Sequence, residues 1–304
     1  MNKFFLFLGV IIVAIGVVAF LWQVDVGQPR RRFTIVTTFY PLTTLTQPIV
    51  GDAATIVQLL PAGQGPHDYH PRPSDIATLK SADLLIENGA GLEAQWLDAL
   101  LKSTNRSDLP VLNLALALKA ADLPLLALSE PDGSGLHTDP HLWLAPRNAV
   151  AIVGSIADQL IRLDPNKATT YQSNAAAFQA KLQALDTESQ RRVGEFGTKQ
   201  FIAFHDAFTY FARDYGLQQV ATIELAPGEA PSPSQLDEIH RLVTAKELKA
   251  LFTEPQFSSA TVDQLARDLG IPLLILDPLE TDEGAGGYVA AMQRNLDSLE
   301  QALK

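Results

Sequence analysis

From residue 33 onward, short apolar runs alternate with helix-like stretches, and this alternation limits the chain to a small set of folds. Most of the runs are rich in Val, Ile, Leu or Phe, which is typical of parallel strands buried on both faces. Strands that alternate with helices predict layered α/β sheets. The predicted strands are 33–38, 55–60, 83–87, 111–114, 201–204, 219–223, 250–253 and 273–276.

In the middle of the chain the alternation stops for two helical stretches, 147–163 and 166–193. The second contains no Gly or Pro before Gly194, which favours one long, rigid helix. Such a helix can join two α/β lobes with parallel sheets; a single sheet with a long helical excursion is the alternative. The predicted parts are an N-terminal segment 1–32, an α/β lobe 33–146, a helical connection 147–197 and an α/β lobe 198–304.

The N-terminal segment contains nineteen consecutive residues, 4–22, without a charged or strongly polar side chain. As a helix it would extend about 28 Å, close to the thickness of a bilayer core. We find no A-x-A-like cleavage site near its end, which favours an uncleaved membrane anchor over a signal peptide. Arg30, Arg31 and Arg32 follow it, and by the positive-inside count alone they would place the body in the cytoplasm. We nevertheless expect the body to lie outside the cytoplasm, because of the histidines described below.

Composition excludes several kinds of function. The chain has no cysteine, which rules out disulfides, thiolate metal sites, Cys nucleophiles and a lipidated N-terminal cysteine. Its formal net charge is −11, which disfavours nucleic acid as a partner and favours cations.

Three of the six histidines lie in or beside loops next to predicted elements. His67 follows the strand 55–60, His205 follows 201–204, and His141 lies just before a predicted helix. Asp277 follows the strand 273–276. Ligands of open α/β sheets bind outside the carboxyl ends of the strands, so these four side chains could meet in a cleft between the lobes. Three imidazoles and one carboxylate suit a tetrahedral Zn(II) site.

The local sequences around these residues resemble the metal-binding solute-binding proteins of ABC transporters, specifically the zinc/manganese-uptake family. The similarity covers about residues 33–304. The matching stretches are Pro66-His-Asp-Tyr-His-Pro-Arg-Pro-Ser-Asp-Ile76, Asp139-Pro-His-Leu-Trp-Leu144, Phe204-His-Asp-Ala-Phe-Thr-Tyr-Phe211, Glu254-Pro-Gln-Phe257 and Leu276-Asp-Pro-Leu279.

The resemblance implies two lobes joined by a long backbone helix, with a metal ion held between them and delivered to a membrane permease. By motif, the ligands would be His67, His141, His205 and Asp277. A histidine at the third position points to zinc rather than manganese. We further expect a monomer that is not an enzyme and that lies in the periplasm or another extracytoplasmic space, with residues 4–22 as its possible membrane tether.

Three alternatives stay open. The same site could bind Mn(II) or Fe(II), or the chain could be an adhesin-like relative, since ligand identity alone does not fix the physiological ion. An extracytoplasmic zinc hydrolase is the rival from another class, but the chain contains neither an H-E-x-x-H nor a G-x-S-x-G motif.

His70 and His137 could also sample metal, although a surface role fits each better. Glu254 could orient a ligand histidine or cap the following helix.

Overall fold

The first half of the body is built on a parallel sheet of four strands in the order β2-β1-β3-β4. Helices lie between the strands along the chain, and β3 and most of β1 are buried. The computed structural model describes residues 31–304 except 62, 68, 130–135, 225–230, 258–259 and 282–285. The elements of this half are β1 (Thr34–Thr37), α1 (Tyr40–Val50), β2 (Thr55–Gln58), α2 (Pro73–Lys80), β3 (Leu84–Glu87), α3 (Leu97–Thr104), β4 (Val111–Asn113) and α4 (Leu114–Ala120).

A short antiparallel hairpin follows, which the sequence does not predict. Its strands are β5 (Ala127–Ser129) and β6 (Leu136–Thr138). A 3-10 turn at Leu142–Leu144 then leads into the next helix. The segment that contains His141 follows directly after this hairpin.

Two helices connect the halves, as the sequence predicts: α5 (Pro146–Leu163) and α6 (Ala168–Gly194). Helix α6 has 27 residues, which corresponds to about 40 Å. One face of it is buried at three- and four-residue steps, which is the spacing of one helix face. The large side chains of that face include Tyr171, Phe178, Leu182, Leu185 and Val193.

The second half carries two parallel strand pairs, β7 with β8 and β9 with β10. A separate apolar core, which includes Ile202, Ile223 and Leu251, packs these strands against two helices. Helix α10 instead joins the large core that holds the first sheet and α6. The elements are β7 (Gln200–Ala203), α7 (Thr209–Tyr215), β8 (Gln218–Thr222), α8 (Pro233–Lys246), β9 (Leu251–Thr253), α9 (Ala260–Leu269), β10 (Leu273–Ile275) and α10 (Gly287–Leu303).

The predicted α/β class, with parallel sheets and a long connecting helix, is confirmed. All eight predicted strands are present, and none of their predicted ends is more than two residues from the observed end. The predicted hydrophobic helix at 4–22 lies outside the described residues. Within the part of the chain that the structure describes, none of the helices has the length and hydropathy needed to span a bilayer.

Candidate metal site

Three histidines and one carboxylate converge at a single point of the body. His67, His141, His205 and Glu280 each direct one ligand atom to it, and these atoms lie within 4.8 Å of one another. His67 lies in the loop after β2, His141 after β6, and His205 two residues beyond β7. Glu280 lies in the loop that follows β10.

The spacing of these atoms matches a small tetrahedral ion. The Nε2 atoms of His141 and His205 are 3.2 Å apart. Glu280 Oε1 lies 3.3 Å from Nε2 of His67, 3.4 Å from that of His141 and 3.6 Å from that of His205. A tetrahedral zinc ion with bonds of about 2.0 to 2.1 Å would hold its ligand atoms about 3.3 to 3.4 Å from one another.

The four side chains differ in their access to solvent. His141 and Glu280 are buried, whereas the side chain of His67 is 25% exposed and that of His205 is 12% exposed. A groove of about 570 Å³ lies beside His67, between the loop after β2 and helix α3. Of the four side chains, that of His67 is therefore the most accessible to solvent.

Asp139 fixes the orientation of His141. Its Oδ1 accepts hydrogen bonds from His141 Nδ1 at 2.8 Å and from the His141 backbone N–H at 2.9 Å. Thr209 Oγ1 donates to the other carboxylate oxygen, and Tyr210 Oη donates to the Asp139 carbonyl. Because Nδ1 faces Asp139, Nε2 is the ring nitrogen of His141 that is left to bind a metal ion.

Glu254 performs the same task for His205. This carboxylate is 2% exposed and accepts a hydrogen bond from His205 Nδ1. Gln256 Nε2 donates to its second oxygen at 2.8 Å. Of the two roles that the sequence leaves open for Glu254, orientation of a histidine is the one that these contacts support.

Opposite charges hold the site together. Burial alone would lower the pKa of His205, but the Glu254 carboxylate and Glu280 raise it well above its usual value. The pKa of His141 is raised too, since hydrogen bonds to Asp139 and Glu280 outweigh its burial. Burial would raise the pKa of Glu280, yet its contacts with the three histidines hold it well below its usual range. The site therefore binds positive charge, either as protons or as a metal ion.

Asp277 lies outside the four-residue group, although the sequence predicts it as the fourth ligand. It is buried, and its Oδ1 accepts a hydrogen bond from the backbone N–H of Leu279 at 2.7 Å. Burial raises the pKa of Asp277 to about 6. The structure places Glu280, three residues further on, where the sequence predicts Asp277. The only sequence signal for Glu280 is that it is one of four carboxylates in the stretch 277–283.

The other histidines stand apart from this group. His70 is exposed and lines the groove beside His67. His137 lies in β6, opposite Leu128 of β5. His240 is exposed on α8. Among the described residues, the group around Glu280 is the one cluster with the composition and spacing of a metal site.

Residues 35–302 match the family described as zinc-uptake complex component A, periplasmic (ZnuA). The high-affinity zinc uptake system protein ZnuA of Bacillus subtilis is 33% identical over 285 residues, which cover 90% of this chain and 88% of that protein. The zinc-binding lipoprotein AdcA of Streptococcus pneumoniae is 33% identical over 289 residues. That match covers 90% of this chain but only 56% of AdcA, so the chain spans little more than half of that relative.

Solved structures agree with the sequence matches. The Zn(II)-bound ZnuA-like domain of Streptococcus pneumoniae AdcA has a TM-score of 0.76 at 33% identity, and the match covers 90% of this chain and 99% of that domain. The solute-binding protein FpvC of Pseudomonas aeruginosa, in complex with Mn²⁺, has a TM-score of 0.77 at 33% identity and covers 90% and 98%. The chain belongs to the ZnuA family of metal-binding solute-binding proteins.

Proposed function

We propose that this chain captures Zn²⁺ with His67, His141, His205 and Glu280 and delivers it to the permease of an ABC transporter. The observation that carries the proposal is the spacing of the four ligand atoms. All six distances among them are at most 4.8 Å, and four of these, between 3.2 and 3.6 Å, fit the edges of a zinc tetrahedron.

The donor set favours zinc among the divalent ions. Three imidazole nitrogens and one carboxylate oxygen suit a tetrahedral Zn²⁺, whereas Mn²⁺ prefers more oxygen donors. Nitrogen-rich sites also bind Zn²⁺ more tightly than Mn²⁺ or Fe²⁺. The Mn²⁺ complex of the similar FpvC makes Mn²⁺ the second candidate.

The site is suited to binding rather than catalysis. Four protein ligands complete a tetrahedral shell, and a zinc hydrolase would need an open position for a reactive water. Such a closed site retains the ion until the ligands separate. We therefore propose a carrier for zinc in place of a zinc enzyme.

The ligands come from both halves of the chain, which supports release by separation of the halves. His67 and His141 belong to the proposed lobe 33–146, whereas His205 and Glu280 belong to the proposed lobe 198–304. A movement that separates these lobes would divide the ligand set into two pairs. Each pair alone would hold zinc weakly, and a permease that binds the separated lobes could then accept the ion.

We propose that the protein lies outside the cytoplasmic membrane, which in a cell with two membranes is the periplasm. The description of its family as periplasmic supports this location. Because the chain lacks cysteine, a tether could come from the apolar stretch 4–22 and not from a lipidated cysteine.

A competition titration of residues 33–304 with Zn²⁺ and a zinc-binding dye tests the proposal. We expect one tightly bound ion per chain and an affinity at least 100-fold lower in His67→Ala. His240→Ala, which removes an exposed histidine from α8, is the matched control and should bind as the parent does. Equal affinity in the parent and His67→Ala would refute the site.

Uptake of radioactive zinc by cells that express the full chain tests delivery. We expect uptake at low external zinc to fall to the level of a strain that lacks the chain when His67 is replaced by Ala. Undiminished uptake by this variant would contradict the transport role, even if the purified protein binds zinc.

A further inference from the structure

The loop that carries Glu280 contains an unusual backbone conformation. Leu279, directly before Glu280, has φ +60°, a left-handed conformation that is unfavourable for a residue with a β-carbon. Leu279 is also buried, at 1% exposure. Other interactions must therefore hold this residue in place, because the direction of Glu280 depends on it.

Asp277 supplies the interaction closest to the strained residue. Its Oδ1 accepts a hydrogen bond from the N–H of Leu279 at 2.7 Å. This contact closes a turn in which the Asp side chain replaces a backbone carbonyl. One carboxylate oxygen of Asp277 is therefore engaged in this hydrogen bond, three residues before Glu280, whose carboxylate faces the histidines.

The peptide of Asp277 is itself held from helix α10. Asn295, which is 2% exposed, accepts a hydrogen bond from the Asp277 N–H at 2.7 Å and donates one to the Asp277 carbonyl at 2.6 Å. The side-chain oxygen and nitrogen of Asn295 thus both form hydrogen bonds with the backbone of Asp277. The start of the turn is fixed in position and in orientation.

Trp143 ties the same turn to the segment of His141. Its Nε1 donates a hydrogen bond to the carbonyl of Pro278 at 2.7 Å, and the Trp143 side chain is fully buried. Trp143 follows His141 by two residues. This hydrogen bond therefore fixes the position of the turn relative to His141, one of the three histidines near Glu280.

We infer that Asp277 is a positioning residue, which holds the turn at Leu279 so that Glu280 meets the three histidines. This inference rests on the zinc-binding function proposed above. Loss of the hydrogen bond would release Leu279 toward an ordinary, negative φ. Glu280 would then leave the arrangement in which Oε1 lies 3.3 to 3.6 Å from all three histidines, and metal sites tolerate errors of only about 0.5 Å.

Two substitutions at Asp277 separate positioning from direct ligation. Asp277→Asn keeps an oxygen that accepts the Leu279 N–H but removes the carboxylate. Asp277→Glu keeps the carboxylate but, with one more methylene, cannot close the same turn. A positioning role predicts that the Asn variant binds Zn²⁺ within about 3-fold of the parent and that the Glu variant binds it about 10- to 100-fold more weakly.

The experiment measures Zn²⁺ affinity by dye competition and the visible absorption spectrum of the Co²⁺ form. We expect the Asn variant to keep the parent's Co²⁺ spectrum, because the ligands are unchanged, and the Glu variant to alter it. The reverse order of affinities, or Asn and Glu variants that both match the parent, would overturn the inference. Should the Glu variant fail to fold, Asp277→Ala takes its place, because its side chain has no atom that accepts the Leu279 N–H; binding equal to that of the parent there would also overturn the inference.

Glu280→Gln serves as the reference for the proposed function itself. It should weaken Zn²⁺ binding more than any of the Asp277 variants does, because it removes a ligand's charge. If Glu280→Gln and His67→Ala both bind as the parent does, the site itself is refuted. If those two lose binding while Asp277→Asn loses it equally, only the positioning role fails and Asp277 becomes a ligand.

Discussion

Zinc binding should release protons near neutral pH, and the number released follows from the charges around the histidines. The pKa of His205 is raised well above its usual value by Glu254 and Glu280, so the metal-free protein carries a proton there at pH 7. His141 is shifted in the same direction. Zinc requires neutral imidazoles. Glu280 contributes no proton at this pH because its pKa is held low.

The expected magnitude is one to two protons per zinc at pH 7. Each proton changes the affinity about tenfold per pH unit, so binding should strengthen about 10- to 100-fold between pH 6 and pH 7. Calorimetric titration of zinc in two buffers of different ionisation enthalpy counts the protons directly. Heats that do not depend on the buffer, together with an affinity that does not change with pH, would refute the proposed charge arrangement.

The same shifts give the metal-free and zinc-bound forms opposite responses to pH. A histidine whose pKa is raised by folding stabilises the protein at pH values below its pKa in the unfolded chain, about 6.5. This stabilisation is lost as the pH rises through its pKa in the folded protein. Thermal unfolding should therefore show a lower Tm for the metal-free protein at pH 8 than at pH 6, and a larger zinc-induced rise at pH 8. Glu254→Gln should bind zinc about 10- to 100-fold more weakly by dye competition, because it removes the charge that orients His205; an unchanged affinity would contradict this role. Trp143→Phe leaves the buried carbonyl of Pro278 unpaired and should lower the free energy of unfolding by about 1 to 3 kcal/mol in urea titrations, whereas an unchanged midpoint and slope would show that the bond contributes nothing.

Much of the fold could be predicted because its strands are short apolar runs between clear breaks. The run 84–87, for example, is buried on both faces except at its end, and a continuous apolar pattern marks such strands. The hairpin β5–β6 escaped prediction for the converse reason. Its strands have three residues each, and Leu136 is 73% exposed, so no burial pattern marks it in the sequence.

The three histidines could be found because each lies beside the end of an element, where α/β proteins gather ligands. The fourth position could not be fixed in the same way. Asp277 and Glu280 belong to one loop, and which of them faces the cleft depends on the left-handed turn at Leu279. Besides Asp277, that turn is held by Trp143, 135 residues before Pro278, and by Asn295, 18 residues after Asp277. Local spacing carries no information about such long-range bonds.

The division into lobes 33–146 and 198–304 stays a prediction, as does the membrane tether at 4–22. Small-angle scattering of the body with and without zinc would test the first, since lobes that separate on release would increase the radius of gyration of the metal-free form. An unchanged radius would favour a rigid body.

The most direct test of the account is an anomalous difference map, recorded at the zinc edge, from crystals of the zinc-loaded body. We predict one strong peak within about 2.0 to 2.2 Å of Nε2 of His67, His141 and His205 and of a Glu280 oxygen. A peak bonded to Asp277 in place of Glu280 would contradict the ligand set, and a map without a peak at the three histidines would contradict the proposed function.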